Sequence, residues 1–486
     1  MIYLIIGVYL AITLAAGFIG YHKAKNTPED YFLGSRGFGA LIMFFTFIAT
    51  NFSAFFFLGF AGEGYRVGYS YYAMMAFGTA LAGLAFFFIG TKVWKLGQKH
   101  KYITAPELVG KETGSKPLQV IYVLVMVFFT LPYMAVQPIG AGIIISELTG
   151  GQIPYFAGCA ILMFFIVIYV LIGGMRSIAV TDMIQGILMF TLIFAAVFLI
   201  ADGFGGVAEA NRKVYELKPE LFSREGADGS FTPQRWFSLM LLWLFCVPMF
   251  PQMFMRFFIS RDLPTLKLSA VLYSIVPVIL FIAPVMIGVF GHLVYPDLLS
   301  ENASPKIADQ ILPRILTNPD FASPAFAAVI MTGALAAFMS TLDSQLLALS
   351  TILSRDVYDD LILGGSKEKN FKSQVIFGRV IVIILAIIAL LIAWFRPSSI
   401  FVIIQMAFSG LAILFPATVA ILHFKRVNPW SCILSIVLGE LLFLALFFEW
   451  IPRAAILGFE PFIPVIVFSF LVIILGNLLL PKPKVA

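Results

Sequence analysis

Charged residues are scarce in this chain: Asp, Glu, Lys and Arg make up 12% of 486 residues, against 60% hydrophobic ones. That balance excludes a soluble domain of this size, whose surface would be too apolar for water. Cysteine is nearly missing as well. Cys159, Cys246 and Cys432 sit in separate apolar stretches with no ligand-like spacing, which excludes a disulfide framework and a zinc motif. His22, His100, His292 and His423 fall at or near the ends of apolar stretches, so no His or Cys pairing suggests a metal centre or an activated nucleophile inside them. The surplus of base, +6, is ordinary for a membrane protein with basic loops on one side and gives no case for nucleic acid.

Hydrophobic length is what the chain has. About thirteen apolar runs lie near 2–21, 39–61, 70–94, 118–147, 153–173, 180–202, 236–259, 266–295, 323–354, 374–395, 398–423, 429–449 and 459–480. Each approaches the roughly 20 residues that cross the hydrocarbon of a bilayer as a helix. The first run has no basic residue ahead of it and is followed by His22, Lys23 and Lys25, the reverse of a secretory signal. It is therefore expected to stay as a helix with its N-terminus outside. Basic residues then collect in the loops that this orientation makes cytoplasmic: Lys92, Lys95, Lys99, Lys101, Lys111 and Lys116; Arg256, Arg261 and Lys267; Lys367, Lys369 and Lys372; Lys425 and Arg426; Lys482 and Lys484. An odd number of spans leaves the C-terminus cytoplasmic.

Two spans are damaged as helices. The second carries Gly59, Gly62 and Gly64 after Asn51-Phe52-Ser53, and the seventh carries Pro248 and Pro251. Such interruptions survive in lipid only where the freed backbone groups meet neighbours, water or an ion. Each damaged span opens a run of five, and five is odd, so the second run is upside down relative to the first. Paired broken helices in an inverted repeat point to a binding site near the midplane.

The ninth span is the most informative. It contains Asp343 together with Ser340, Thr341 and Ser344, and Ala337, Ser340, Thr341 and Ser344 share one helix face. A carboxyl at the centre of a spanning helix costs roughly 2.5–3.5 kcal/mol on an insertion scale, so it faces protein or a wet cavity and has a task. Asp343 points to the flank of the oxygen-rich stripe. The plain alternative is that the hydroxyls bond back to carbonyls four residues earlier.

Three motifs then carry a likeness. The run from Gly173 to Gly186, the stretch from Ser340 to Gln345, and Pro251-Gln252 followed by Arg256-Phe257-Phe258 resemble the sodium/solute symporter family of proline, pantothenate, monocarboxylate, sialic acid and galactose carriers. The resemblance implies an all-α polytopic membrane protein with a LeuT-like 5+5 inverted repeat. The corresponding division is an extra N-terminal helix and loop over 1–38, a first repeat over 39–203, an exterior loop over 204–235, a second repeat over 236–426, and two extra helices over 427–486. It also implies a Na+ site made of main-chain carbonyls of Ala49, Phe52 and Ala337 and hydroxyls of Ser340 and Thr341. Neutral oxygens of this kind bind a hard monovalent cation weakly enough to release it. A second cation site is implied at Asp182, working with Ser340, Asp343 and Ser344. Either the two acids strengthen that site, or they crowd each other so that one keeps a proton.

A solute pocket is expected against the same breaks, with Asn51, Ser53, Phe55, Phe56, Tyr133, Gln137, Trp243 and Gln405 as candidates, few polar groups among aromatic walls. Trp243 aligns with a pocket aromatic of the family's proline carriers. Sugar carriers of the family have acid and amide at the positions of Phe55 and Phe56, and a stacking tyrosine at Cys246, so a polyol is disfavoured. A carboxylate needs no buried base here, because helix ends at the breaks bring free N–H groups to an anion. The expectation is a sodium-coupled symporter of a small organic acid or amino acid in the plasma membrane, which is the inner membrane if the cell is Gram-negative, working by alternating access and not an enzyme. Its partners are a small-molecule substrate and membrane lipid, with no obligate protein partner evident. The alternatives are proton coupling on the same fold, an ion channel, and a membrane-embedded enzyme.

Overall fold

In hydrocarbon each unpaired backbone N–H or C=O costs several kcal/mol, so a run of about 20 apolar residues closes its own hydrogen bonds as a helix. The computed structural model describes residues 1–22, 27–299, 304–364 and 371–480, and every long element among them is helical. Helix α1 (Ile2–His22) is followed by a bent pair, α2 (Ala40–Asn51) and α3 (Phe55–Val67), then by α4 (Ser70–His100), α5 (Lys116–Leu148) and α6 (Tyr155–Asp202). After the polar helix α7 (Val207–Leu217) comes a second bent pair, α8 (Pro233–Met249) and α9 (Pro251–Ile259). The remainder is α10 (Leu263–Val294), α11 (Pro324–Ile362), α12 (Ser373–Phe395), α13 (Ile400–His423), α14 (Pro429–Phe447) and α15 (Phe462–Leu479).

Ten of these helices are long and apolar enough to cross a bilayer, and taking each bent pair as one crossing makes twelve. Helix α6 has 48 residues, about 72 Å at 1.5 Å per residue, more than twice the hydrocarbon thickness. It breaks at Gly174, whose φ of 55° and ψ of −149° suit glycine alone, and whose missing side chain lets the Tyr31 carbonyl approach. Counted as two crossings, α6 brings the total to the thirteen expected from hydropathy.

Both damaged spans are bent, by 60° between α2 and α3 and by 56° between α8 and α9. The second bend falls at Phe250, between the two prolines. The first lies at 52–54, ahead of the glycines expected to cause it. Those glycines instead allow close packing. A Cβ on Gly64 would stand 2.6 Å from the Val285 carbonyl oxygen of α10, so any larger residue would push the two helices apart. Each bent pair opens five crossings, so the two runs have opposite orientation.

Burial separates centre from rim. In α11 and α13, 83% of the most apolar stretch is buried, against 33% in α1 and α12 and 28% in α15. Helix α11 packs most extensively on α6, and α6 also on α1. The three cysteines are buried and free. Glu440 of α14 is enclosed with neither carboxyl oxygen hydrogen-bonded. Lys23, Lys25, Lys367, Lys369, Lys482 and Lys484 lie outside the described residues, as does the side chain of Lys372. Arg256, counted above as a loop base, is fully buried in α9.

Candidate functional site

The end of α2 shows how a polypeptide frees carbonyls inside a membrane. In an unbroken helix the amides of Ala54, Phe55 and Phe56 would close onto Thr50, Asn51 and Phe52. Here the Ala54 amide donates to Gln137 Oε1 at 3.0 Å, that of Phe55 to Ser53 Oγ at 3.2 Å, and that of Phe56 to the Ser53 carbonyl at 2.9 Å. The carbonyls before the break therefore lose their helical partners. One is met across the bundle: Thr341 of α11 donates its hydroxyl to the Phe52 carbonyl at 3.1 Å. Thr341, Ala337, Ala49 and Phe52 are all 0–1% exposed, so this junction is sealed from solvent and lipid. The hydroxyl of Thr341 thus reaches a neighbouring element and does not bond back along its own helix.

Ser340 takes a different partner. Its hydroxyl donates to Asp182 Oδ1 of α6 at 2.5 Å, which leaves the oxygen's lone pairs facing elsewhere, while Thr46 of α2 donates to Oδ2 at 2.5 Å. Asp182 therefore braces both elements of the junction. Arg256 reaches the same carboxylate, with Nη2 3.4 Å from Oδ2 and 2.6 Å from Ser344 Oγ. Ser344 in turn donates to Asp343 Oδ1 at 3.1 Å and lies 3.2 Å from Thr50 Oγ1. The other oxygen of Asp343 accepts from Tyr169 at 2.8 Å. Asp343 thus stands on the flank of the stripe, as its helix position requires. Arg256 and Tyr169 were missed as members of this cluster. For Arg256 the signal was present, a base within an apolar helix next to a proline break.

The pocket candidates divide. Phe55, Trp243 and Tyr133 surround Phe408, with Trp243 5.1 Å and Tyr133 4.8 Å from it between ring centroids and Phe55 6.3 Å. Phe250 closes the group at 4.4 Å from Phe408. Phe401 and Phe408 are spaced i, i+7 on α13, a face the sequence could have revealed. The indole N–H of Trp243 is buried without a hydrogen-bond acceptor. Ser53 stands at the break beside this group. Gln137 is occupied by the scaffold, since its Nε2 donates to the Tyr133 carbonyl at 3.2 Å while its oxygen holds Ala54.

Three candidates lie elsewhere. Asn51 donates to the Tyr273 hydroxyl of α10. Phe56 stacks on Phe52 and faces Phe281, away from Trp243. Gln405 opens into a cavity of about 340 Å³ lined by Glu63, Arg66, Arg235, Asp309, Glu460 and the Phe401 ring on which Phe55 packs, among others, and its Nε2 donates to Glu460 Oε2 at 3.0 Å. Arg235 holds the other oxygen of Glu460 at 2.9 Å. At the edge of that cavity burial raises the Asp309 carboxyl from 3.8 to about 7, against the pull of Arg396 at 3.2 Å.

The arrangement offers neutral oxygens from two helices at a break, an ionised cluster beside them and an aromatic wall beyond. Known proteins resemble the chain as a whole, in sequence and in fold. The model of the sodium:solute symporter family matches residues 31–439. The sodium/pantothenate symporter of Escherichia coli (strain K12) is 27% identical over 472 residues, covering 96% of this chain and 94% of the relative. The osmoregulated proline transporter OpuE of Bacillus subtilis (strain 168) is 24% identical, over 99% of this chain and 95% of the relative. The sodium/proline symporter of Staphylococcus aureus (strain NCTC 8325 / PS 47) is 26% identical, over 99% and 93%. A substrate-bound, outward-open Na+-coupled sialic acid symporter superposes with a TM-score of 0.79 at 20% identity over 99% of this chain and 98% of that one. A nucleobase-cation-symport-1 family transporter, closed around bromovinylhydantoin, gives 0.60 at 14% identity over 93% of each. These structures establish a LeuT-like fold. With the family model spanning most of its length, the chain belongs to the sodium:solute symporter family.

Proposed function

We propose that this symporter carries a small organic acid or amino acid into the cell with Na+, by exposing one central site alternately to the two sides of the membrane. The sodium ion is held by the carbonyls of Ala49, Phe52 and Ala337 and the hydroxyls of Ser340 and Thr341. The observation that supports this most directly is the Thr341 hydroxyl 3.1 Å from the Phe52 carbonyl across the first break. These are two neutral oxygens from two elements, already in contact where a third partner of positive charge would draw both. The solute lies against Phe55, Tyr133 and Trp243, with the unpaired indole N–H of Trp243 as a donor for a carboxylate. Proline and pantothenate, the solutes named for the relatives, both carry that group and suit an aromatic wall better than a sugar does. The chain divides as 1–38, 39–203, 204–235, 236–426 and 427–486, with the N-terminus outside and the C-terminus cytoplasmic in the plasma membrane.

Uptake of labelled proline, pantothenate, pyruvate and acetate into proteoliposomes tests this reading. Accumulation of at least one of them under an inward sodium gradient, with no proton gradient, is expected. Accumulation driven by protons alone would replace sodium coupling with the proton alternative. One charge crossing about 100 mV supplies roughly 2.3 kcal/mol, and a tenfold sodium gradient about 1.4 kcal/mol more, enough for several-hundredfold accumulation of a neutral solute.

A further inference from the structure

At the end of the bundle that carries the 204–235 segment, a hollow of about 640 Å³ lies between the first turns of α4 and α8. Its walls are largely aromatic, from Tyr69, Phe222, Phe231, Trp236 and Phe237. The segment that forms one wall is fixed to the helix ends. The Tyr69 amide donates to the Leu221 carbonyl at 2.9 Å, the Ala227 amide to the Val67 carbonyl at 3.1 Å, and the Ser70 hydroxyl to the Arg224 carbonyl at 2.6 Å. The hollow is therefore shaped by the chain's own bonds. Arg224 is the one charged residue of its lining; it is exposed, and no carboxylate among the described residues pairs with its guanidinium.

Both helices begin at the hollow, with Ser70 and Pro233 in its wall, so the positive ends of two helix dipoles add to the Arg224 charge. Toward the membrane the surface turns apolar. Ala73, Phe77, Leu84 and Phe88 share one face of α4, and the last three are 62%, 51% and 64% exposed. The Phe77 and Trp236 rings stand 6.3 Å apart between centroids, so this stripe runs into the hollow. A rim of Trp and Tyr at the start of two spans lies at the level of lipid headgroups. We propose that the hollow binds one glycerophospholipid, its phosphodiester on the Arg224 guanidinium and an acyl chain along Ala73, Phe77 and Leu84. A free inorganic anion would leave the aromatic walls in water, and a wholly apolar molecule would cover the base without a partner. An amphiphile whose anion adjoins its chains meets both demands, a phosphodiester suits the planar fork of arginine, and the bilayer supplies such a molecule at that depth.

Native mass spectrometry of the purified full-length protein, released from micelles with added phosphatidylglycerol, counts lipids and chains together. One phosphatidylglycerol per chain is expected to survive activation that strips the rest. Arg224→Gln should need about tenfold more lipid for the same occupancy. Ala73→Phe, which fills the hollow beside Phe77, should retain none. Diacylglycerol with the same chains but no phosphate should fail to displace the bound lipid when added in excess. Equal competition by diacylglycerol overturns the proposal, as does retention at the wild-type level in both variants. A dimer holding no lipid also overturns it and would give this face to a second copy of the chain. Should the variants fail to fold, the competition on the wild type decides alone.

Discussion

Thr341→Val isolates the oxygen on which the sodium reading turns. Valine has nearly the volume of threonine, and residue 341 is 0% exposed, so the helix contact keeps its shape while the hydroxyl is lost. Two effects follow, of which only the second acts on the bound ion. The Phe52 carbonyl, which accepts from Thr341 at 3.1 Å, is left without its partner in a site where an unsatisfied acceptor costs about 1–3 kcal/mol. The cation loses one of its proposed neutral ligands, a term of similar size. Loss of a single such term corresponds to roughly a 5–150-fold rise in the sodium concentration for half-maximal uptake. The assay is initial uptake of whichever of the four labelled solutes the wild type accumulates, measured against sodium concentration. Thr341→Ser, which restores the oxygen, is expected to return half-saturation to within a few-fold of wild type. The half-saturating concentration for solute, at saturating sodium, should move less than that for sodium. If Thr341→Val leaves the sodium dependence within twofold of wild type, the junction does not hold the ion and the argument from the broken helix fails.

Gln137→Leu removes the acceptor for the Ala54 amide, leaves that buried N–H unpaired, and should cost about 1–3 kcal/mol of stability; thermal unfolding in detergent checks it, with Gln137→Glu less affected. Trp243→Phe keeps the ring packing on Phe408 and deletes the unpaired donor; the expected result is a raised KM for solute with sodium half-saturation unchanged, and equal shifts in both would remove Trp243 from the pocket. Asp309 holds its proton up to about pH 7 in the folded protein, whereas an ordinary carboxyl gives it up near 3.8. The folded state then binds more protons than the unfolded one between those values, so the stability that Asp309 contributes is complete below about 3.8 and declines as pH rises through about 7. Asp309→Asn should flatten the fall in unfolding temperature between those limits.

Much of the architecture was legible because the bilayer leaves the chain few options. Apolar length fixes the crossings, and Pro248 with Pro251 marks the second bend where it occurs. The first bend falls within the damaged stretch from Asn51 to Gly64 but ahead of its glycines, since glycine in a helix marks either a break or a close contact, and only the neighbour at Val285 distinguishes them. Thr341 and Asp343 were readable from spacing alone. Arg256 was assigned to a loop because a base near a span end normally snorkels to water, and nothing in the local sequence shows a carboxylate approaching from residue 182. Gln405 was placed in the central pocket because α13 faces it. Helix rotation turns that side chain toward Glu460, a residue of the segment before α15 that periodicity cannot locate.

Coupling then follows from where the ligands sit. The proposed sodium oxygens come from two separate pieces of structure, the unwound end of α2 and the face of α11, and Asp182 of α6 ties both through Thr46 and Ser340. A cation held this way binds only the arrangement in which the pieces are together, so its binding free energy favours that arrangement over others. The aromatic wall hangs from the same break, through Phe55 and the Gln137 that anchors Ala54. On the proposed assignment, sodium and solute select the same geometry of one interrupted helix, and each must raise the affinity of the other by an equal factor. Mutations that loosen the break without touching either ligand, Gln137→Leu foremost, should lower that factor and let solute binding become independent of sodium. A site in which the ion merely neutralised a bound carboxylate would instead keep its coupling in such a variant.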